Sequence, residues 1–131
     1  MSNMKTIVFY LGLALLFTHE LDSMPNHEWR VMPILSSLSD STGKAVFLLA
    51  HVPLFAVVVG LIASLDEKIR LRARGIFCGF LVVHTLLHYV FSRNLAYEFS
   101  SPISSALIYG AGLCGVLYFL GGHFAHNEDP V

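Results

Sequence analysis

This chain carries few charges. Asp, Glu, Lys and Arg make up 13% of its 131 residues, about half the share usual in a soluble domain. Meanwhile 55% are hydrophobic and the mean hydropathy is +0.66. That balance excludes an ordinary water-soluble globule and points to a membrane protein. Neither sign of charge prevails: eight Lys and Arg stand against nine Asp and Glu, so there is no basic face with which to bind nucleic acid. Cysteine is nearly missing too. Cys78 and Cys114 form no CxxC pair, and thiolates this sparse disfavour a Cu(I) or iron–sulfur site. Both fall inside apolar segments at different depths, which argues against a disulfide and for a packing role. Small residues of an A-x-A cleavage site are also missing after the first apolar run, where "LLFTHELDS" stands. That run therefore reads as a retained helix, not a signal peptide.

What the chain does have is four long apolar segments, covering approximately residues 5–22, 44–65, 74–92 and 102–122. At 1.5 Å per residue, about 20 residues cross the roughly 30 Å of bilayer hydrocarbon. The run "TIVFYLGLALLFT" is too short by itself, so the first span must continue through His19 and Glu20 to Asp22. The predicted fold is all-α: a four-transmembrane-helix bundle in which residues 1–131 form a single integral membrane domain. Basic residues orient it. The link "DEKIRLRAR" carries Lys68, Arg70, Arg72 and Arg74, whereas the first link has Arg30 and Lys44 and the third only Arg93. The positive-inside rule then puts the second link and both termini in the cytoplasm, with the protein in the inner (plasma) membrane.

In the first outer link, Asp22 or Ser23 can cap a short helix with Pro25 in its first turn. Trp29, Val31, Met32, Ile34 and Leu35 would give that helix a greasy side, so a short interfacial helix is expected between spans one and two. For Trp29 and Arg30 the plainer alternative is an ordinary amphipathic connector. In span four, Ala106 with Gly110 and Ala111 with Gly115 set small residues four apart. This allows close helix approach, within the bundle or between copies.

The seven histidines carry the functional signal. His19 lies about one turn from the outer end of span one, and His51 about 10 Å inward on span two. His84 and His88 lie about 12 Å and 6 Å below the outer end of span three. Four histidines from three helices thus share the outer half of the membrane, with Glu20 and Asp22 at that depth or just above it. His84 and His88, four apart, share one helix face, a spacing that offers two nitrogens to one metal. His123 and His126 lie at or beyond the inner end of span four. Ionisable groups in a span are costly and functional by default. The cluster reads as a metal or proton-active site, or else as a polar network that fixes helix register.

Histidine with carboxylate suits a divalent metal such as zinc or iron. His19, His51, His84 and His88 are the expected ligands, with Glu20 or Asp22 as a further ligand or general base. Six candidate groups exceed the needs of one tetrahedral zinc and could serve two metals. Adjacent helix residues point about 100° apart, so His19 pairs more readily with Asp22 than with Glu20. HExxH would require histidines where Ser23 and Val31 stand, so no zincin protease signature is present. Haem is the second cofactor to weigh, with His51 and His84 as axial ligands, although the nearby carboxylates suit a polar metal site better.

The string "HELDSMPNHEWR", followed by three further spans with one histidine in the second and "HTLLH" in the third, resembles a family of small uncharacterised bacterial four-span membrane proteins with a HELD…HEWR signature. The resemblance covers essentially the whole chain and implies bacterial origin and membrane location, not an activity. The function expected is a metal-dependent membrane enzyme acting on a lipid or small hydrophobic substrate. The alternative is a non-enzymatic module: a metal or proton carrier, a b-type haem protein or a structural subunit. A carrier needs polar groups continuing inward, and spans two and three supply none below His51 and His84 before their boundary residues. The partner expected is the lipid bilayer itself.

Overall fold

The computed structural model describes residues 3–124. Four α-helices run in chain order: α1 (Asn3–Ser23), α2 (Asp40–Ile62), α3 (Glu67–Phe91) and α4 (Pro102–Phe124), and no strand occurs among the described residues. All four are long and apolar enough to cross a membrane. Their starts follow local chemistry. Ser39 caps α2 by accepting from the Thr42 amide, and Asp66 caps α3 by accepting from Lys68 and Ile69. Before α4, the Ser101 hydroxyl accepts from the Ser104 amide and Pro102 fills the first helical position, where a missing N–H costs nothing. The first helix does continue through His19 and Glu20, ending at Ser23.

α4 packs against both α1 and α3, and α2 lies against α3. The core between α1, α3 and α4 contains Phe9, Leu16, Phe77, Cys78, Leu81, Ala111 and Tyr118. Small residues set the helix spacing. A Cβ on Gly115 would stand 2.6 Å from the Cys78 carbonyl, and one on Gly12 would stand 2.7 Å from Leu81. The span-four small residues thus serve packing inside the bundle. Thr85 of α3 reinforces it by donating to the Ile108 carbonyl of α4 at 2.8 Å. Both cysteines are buried and free.

α2 stands apart from α1, which it meets through side chains such as Phe17 against Phe55, ring centres 4.9 Å apart. A cavity of about 750 Å³ lies among α1, α2 and α3, lined by residues of all three. Between α1 and α2 the expected short helical segment is split into two 3₁₀ turns, Glu28–Arg30 and Leu35–Ser37. The link does not lie flat with Trp29 along a surface: Trp29 is 2% exposed and Val31 is buried with it. Pro33 interrupts any continuous helix, and the backbone at His27 turns the chain back into the bundle.

Candidate metal centre

α1 buries one stripe, Phe9, Gly12, Leu16, His19 and Ser23, whose spacings of three and four mark one helix face. His19 extends this stripe and is fully buried. On α3, Phe77, Cys78, Leu81, His84 and His88 form the matching stripe. Where the two meet, the three imidazoles converge. His19 has its ring centre 4.9 Å from His84 and 4.7 Å from His88, and the latter two are 4.6 Å apart.

A fourth group comes from the link. α1 ends where Ser23 donates to the Glu20 carbonyl and Asn26 to the Asp22 carbonyl. His27 then adopts φ 48°, ψ 47°, a left-handed conformation costing roughly 1–2 kcal/mol in a non-glycine residue. The reversal sends Glu28 and Trp29 inward. Trp29 is pinned against Gly43, where a Cβ would sit 3.0 Å from the indole, and against Phe47. Its Nε1–H donates to Asp40 at 3.0 Å. Arg30 donates to Asp40 at 2.7 Å and to Glu98 at 3.1 Å, and His27 Nδ1 meets Glu98 at 2.8 Å. This clasp ties the first link to α2 and to the third link. The hydrogen bond from His27, reinforced by Arg30, holds the Glu98 carboxyl below its ordinary range.

Glu28 thereby reaches the histidines, with one oxygen 3.6 Å from His19 Nε2 and the other 3.3 Å from His88 Nε2. Burial alone would push its carboxyl up, but the two imidazoles outweigh this and hold it well below the usual range. His19, Glu28, His84 and His88, all buried, each offer a ligand atom, and these atoms lie within 4.8 Å of one another. Ligands about 2.1 Å from one tetrahedral ion stand roughly 3.4 Å from one another, so the widest pair must close by up to about 1.4 Å.

The chain belongs to a family of unknown function, DUF6713. The match covers residues 5–123 and so includes every residue of this centre. No curated protein and no solved structure matches the chain.

Within the DUF6713 match, the buried polar atoms decide what the centre can do. Both ring nitrogens of His19, Nδ1 of His84, Nε2 of His88 and Oε2 of Glu28 are buried without a hydrogen-bond partner. The Glu28 contacts, 3.6 Å to His19 and 3.3 Å to His88, fall at ion-pair distance. Leaving a buried polar group without a partner costs roughly 1–3 kcal/mol. A cation among them would take up lone pairs from all four side chains at once. Around them, Tyr97 places its hydroxyl 3.2 Å from His88 Nδ1, the carboxylate–imidazole or hydroxyl–imidazole support typical behind a metal ligand. Phe99, 4% exposed, covers His19 and His88.

The other expected site residues lie elsewhere. His51, anticipated as a ligand beside His19, His84 and His88, is paired with Glu20, Nε2 to Oε2 3.0 Å. The reason is angular: Glu20 is one residue on from His19 and points about 100° away, off the buried stripe and toward α2. His51 Nδ1 lies 2.7 Å from the Phe47 carbonyl, which can only accept, so Nδ1 carries a proton. Both His51 nitrogens are thus engaged, and the His51–His84 pair considered for haem is not offered free. Asp22 joins neither group, although its Oδ2 is buried without a partner. The side chain of His123, and all of His126, lie outside the described residues. Sequence reasoning did not count Glu28 among the ligands. The available signal was a second His-Glu pair directly before the chain's one tryptophan.

Proposed function

We propose that this DUF6713 protein is a bacterial plasma-membrane metalloprotein that holds one divalent ion, zinc or iron, through His19, Glu28, His84 and His88. On this reading it is an enzyme acting on a lipid or other small hydrophobic substrate, with the centre toward the outer face and both termini cytoplasmic. The observation that carries the reading is the convergence of four buried side chains from α1, α3 and the first link, each offering one ligand atom within 4.8 Å of the others and each with a polar atom that no hydrogen bond satisfies. A self-sufficient polar network would pair such atoms at about 3 Å with aligned hydrogens.

When bound, such an ion would supply a Lewis acid for a substrate oxygen. The chain's own residues prepare the site for that work. Phe99 and the clasped link exclude water from one side. Tyr97 fixes the His88 ring. Glu20 and His51 stand Oε2 to Nε2 at 3.0 Å, with Nδ1–H committed to the Phe47 carbonyl, a pair across which a proton can pass. Glu20 with His51 is therefore the acid–base pair of the proposal, and it lines the same cavity as Glu28, His84 and His88. A carrier is disfavoured by the apolar core of Leu16, Phe77 and Leu81, which continues the same helix stripes away from the link.

Elemental analysis of the purified protein, with its absorption spectrum, tests the reading. One equivalent of zinc or iron without a Soret band is the expected result. A haem spectrum, or a metal-free folded protein, would refute it.

A further inference from the structure

The cavity between α2 and the α1/α3 pair is more than an approach to the metal centre. Its volume, about 750 Å³, falls in the range of small-molecule sites, roughly 300–1,000 Å³. The polar groups gather at one level, where Glu20, Glu28, His51, His84 and His88 face it. From that level the cavity continues between apolar walls to Ile62 on α2 and Ala73 on α3. From His51 to Ile62, or from His84 to Ala73, the path is about 16 Å at 1.5 Å per residue. One leaflet of a roughly 30 Å hydrocarbon core offers about 15 Å. The depth of this limb therefore matches one lipid chain.

The cavity is also open sideways. Leu54 and Leu61 of α2, with Ile76, Phe80 and Leu87 of α3, line it and are at the same time exposed on the bundle's outer surface. A chain can thus enter between α2 and α3 from the surrounding lipid without passing through water. The head level sets the ligand's charge. Two carboxylates line it and no lysine or arginine does, so a phosphate or free carboxylate head has no basic side chain to pair with and depends wholly on the proposed ion, whose charge Glu28 already partly neutralises. Glu20 meets His51 through one oxygen, Oε2, which leaves its other oxygen to bond an uncharged hydroxyl head.

We infer that the groove binds a single-chain lipid with a neutral oxygen head, an alcohol or its ester, its chain running toward Ile62 and Ala73 and its head beside Glu20, His51 and the metal centre. The inference rests on the proposed function only for the ion at the head; chain binding is separately measurable.

The test is photolabelling of the purified protein with a hexadecanol analogue carrying a diazirine near the chain end, mapped by peptide mass spectrometry. Label should concentrate on Val58, Ile62 and Phe77, about tenfold above Leu113 and Leu117 on the exposed face of α4, the ratio that 1.4 kcal/mol of preference gives. Filling the far end with Ala73→Phe, or separately Val58→Phe, should reduce that label about tenfold while metal content stays constant. Unlabelled hexadecanol should compete, and hexadecyl phosphate should not. Label spread evenly over lipid-facing positions would overturn the groove, and equal competition by the phosphate would overturn the neutral head. Groove-confined label on a metal-free wild type would support the lipid site while refuting the metal reading. Scattered label on a metal-loaded protein would do the reverse.

Discussion

Replacing Trp29 tests the link between the first loop and the centre, because Glu28 reaches the histidines only if its neighbour is anchored. Trp29 is 2% exposed, with its ring against Gly43 and Phe47 and its Nε1–H on Asp40. Removing a buried tryptophan side chain costs about 3–5 kcal/mol; the lost hydrogen bond adds about 1 kcal/mol. Trp29→Ala should therefore lower the melting temperature in detergent by about 10 °C or more. Trp29→Phe keeps most of the packing, loses the hydrogen bond, and should cost about 1–2 kcal/mol. The two differ again in metal binding. A loosened turn displaces Glu28, so chelator competition should show a roughly 10–100-fold weaker ion in Trp29→Ala, the scale of losing a ligand's support, and a smaller change in Trp29→Phe. Melting followed by far-UV circular dichroism avoids dependence on the single tryptophan. If Trp29→Ala melts with the wild type and holds metal equally well, the link is not anchored as described.

Three further outcomes follow from other parts of the molecule. Glu20→Gln removes the proton-sharing carboxylate and should reduce turnover of a neutral long-chain ester by roughly 10²–10⁴-fold, with metal stoichiometry unchanged; loss of metal instead would make Glu20 a ligand. Gly115→Ala puts a Cβ against the Cys78 carbonyl, forcing α3 and α4 apart at a cost of about 1–3 kcal/mol, read as a lowered melting temperature; an unchanged one would contradict the close approach. The clasp should also weaken in acid. Because His27 and Arg30 depress the Glu98 carboxyl, its contribution is full above the unfolded-state value of about 4.3 and declines as the pH falls through the lower folded-state value. Melting temperatures between pH 7 and pH 3 should fall more steeply for wild type than for Glu98→Gln; parallel curves would remove Glu98 from the clasp.

How much of this was legible in the sequence depends on which physical signal each feature leaves. Four long apolar runs announce four helices, and the need to cover about 30 Å carried the first of them past Thr18 to Asp22, one residue short of the helix end at Ser23. His84 and His88 share a face by spacing alone. What depth could not supply was azimuth. His19 and His51 sit in comparable halves of their helices, yet His19 lies on the stripe toward α3 while His51 looks across the cavity to Glu20. Packing of whole helices decides that, and the weak local periodicity of a uniformly apolar α2 does not reveal it. Glu28 was hidden for a different reason. Its position depends on one left-handed residue, His27, and on the burial of Trp29, and neither leaves a pattern in a stretch that otherwise resembles a polar connector. Tyr97 and Phe99 share that fate, since a short irregular link gives no period from which to predict what it covers.

The central claim is that His19, Glu28, His84 and His88 are ligands of one ion while Glu20 and His51 are not. Metal content per folded protein, measured side by side in the wild type, in a His84→Ala, His88→Ala double variant and in a Glu20→Gln, His51→Gln double variant, tests this most directly. One equivalent is predicted in the wild type and in the second variant, and none in the first, with circular dichroism confirming that all three are folded. A metal-free wild type, or equal metal in all three, would contradict the assignment.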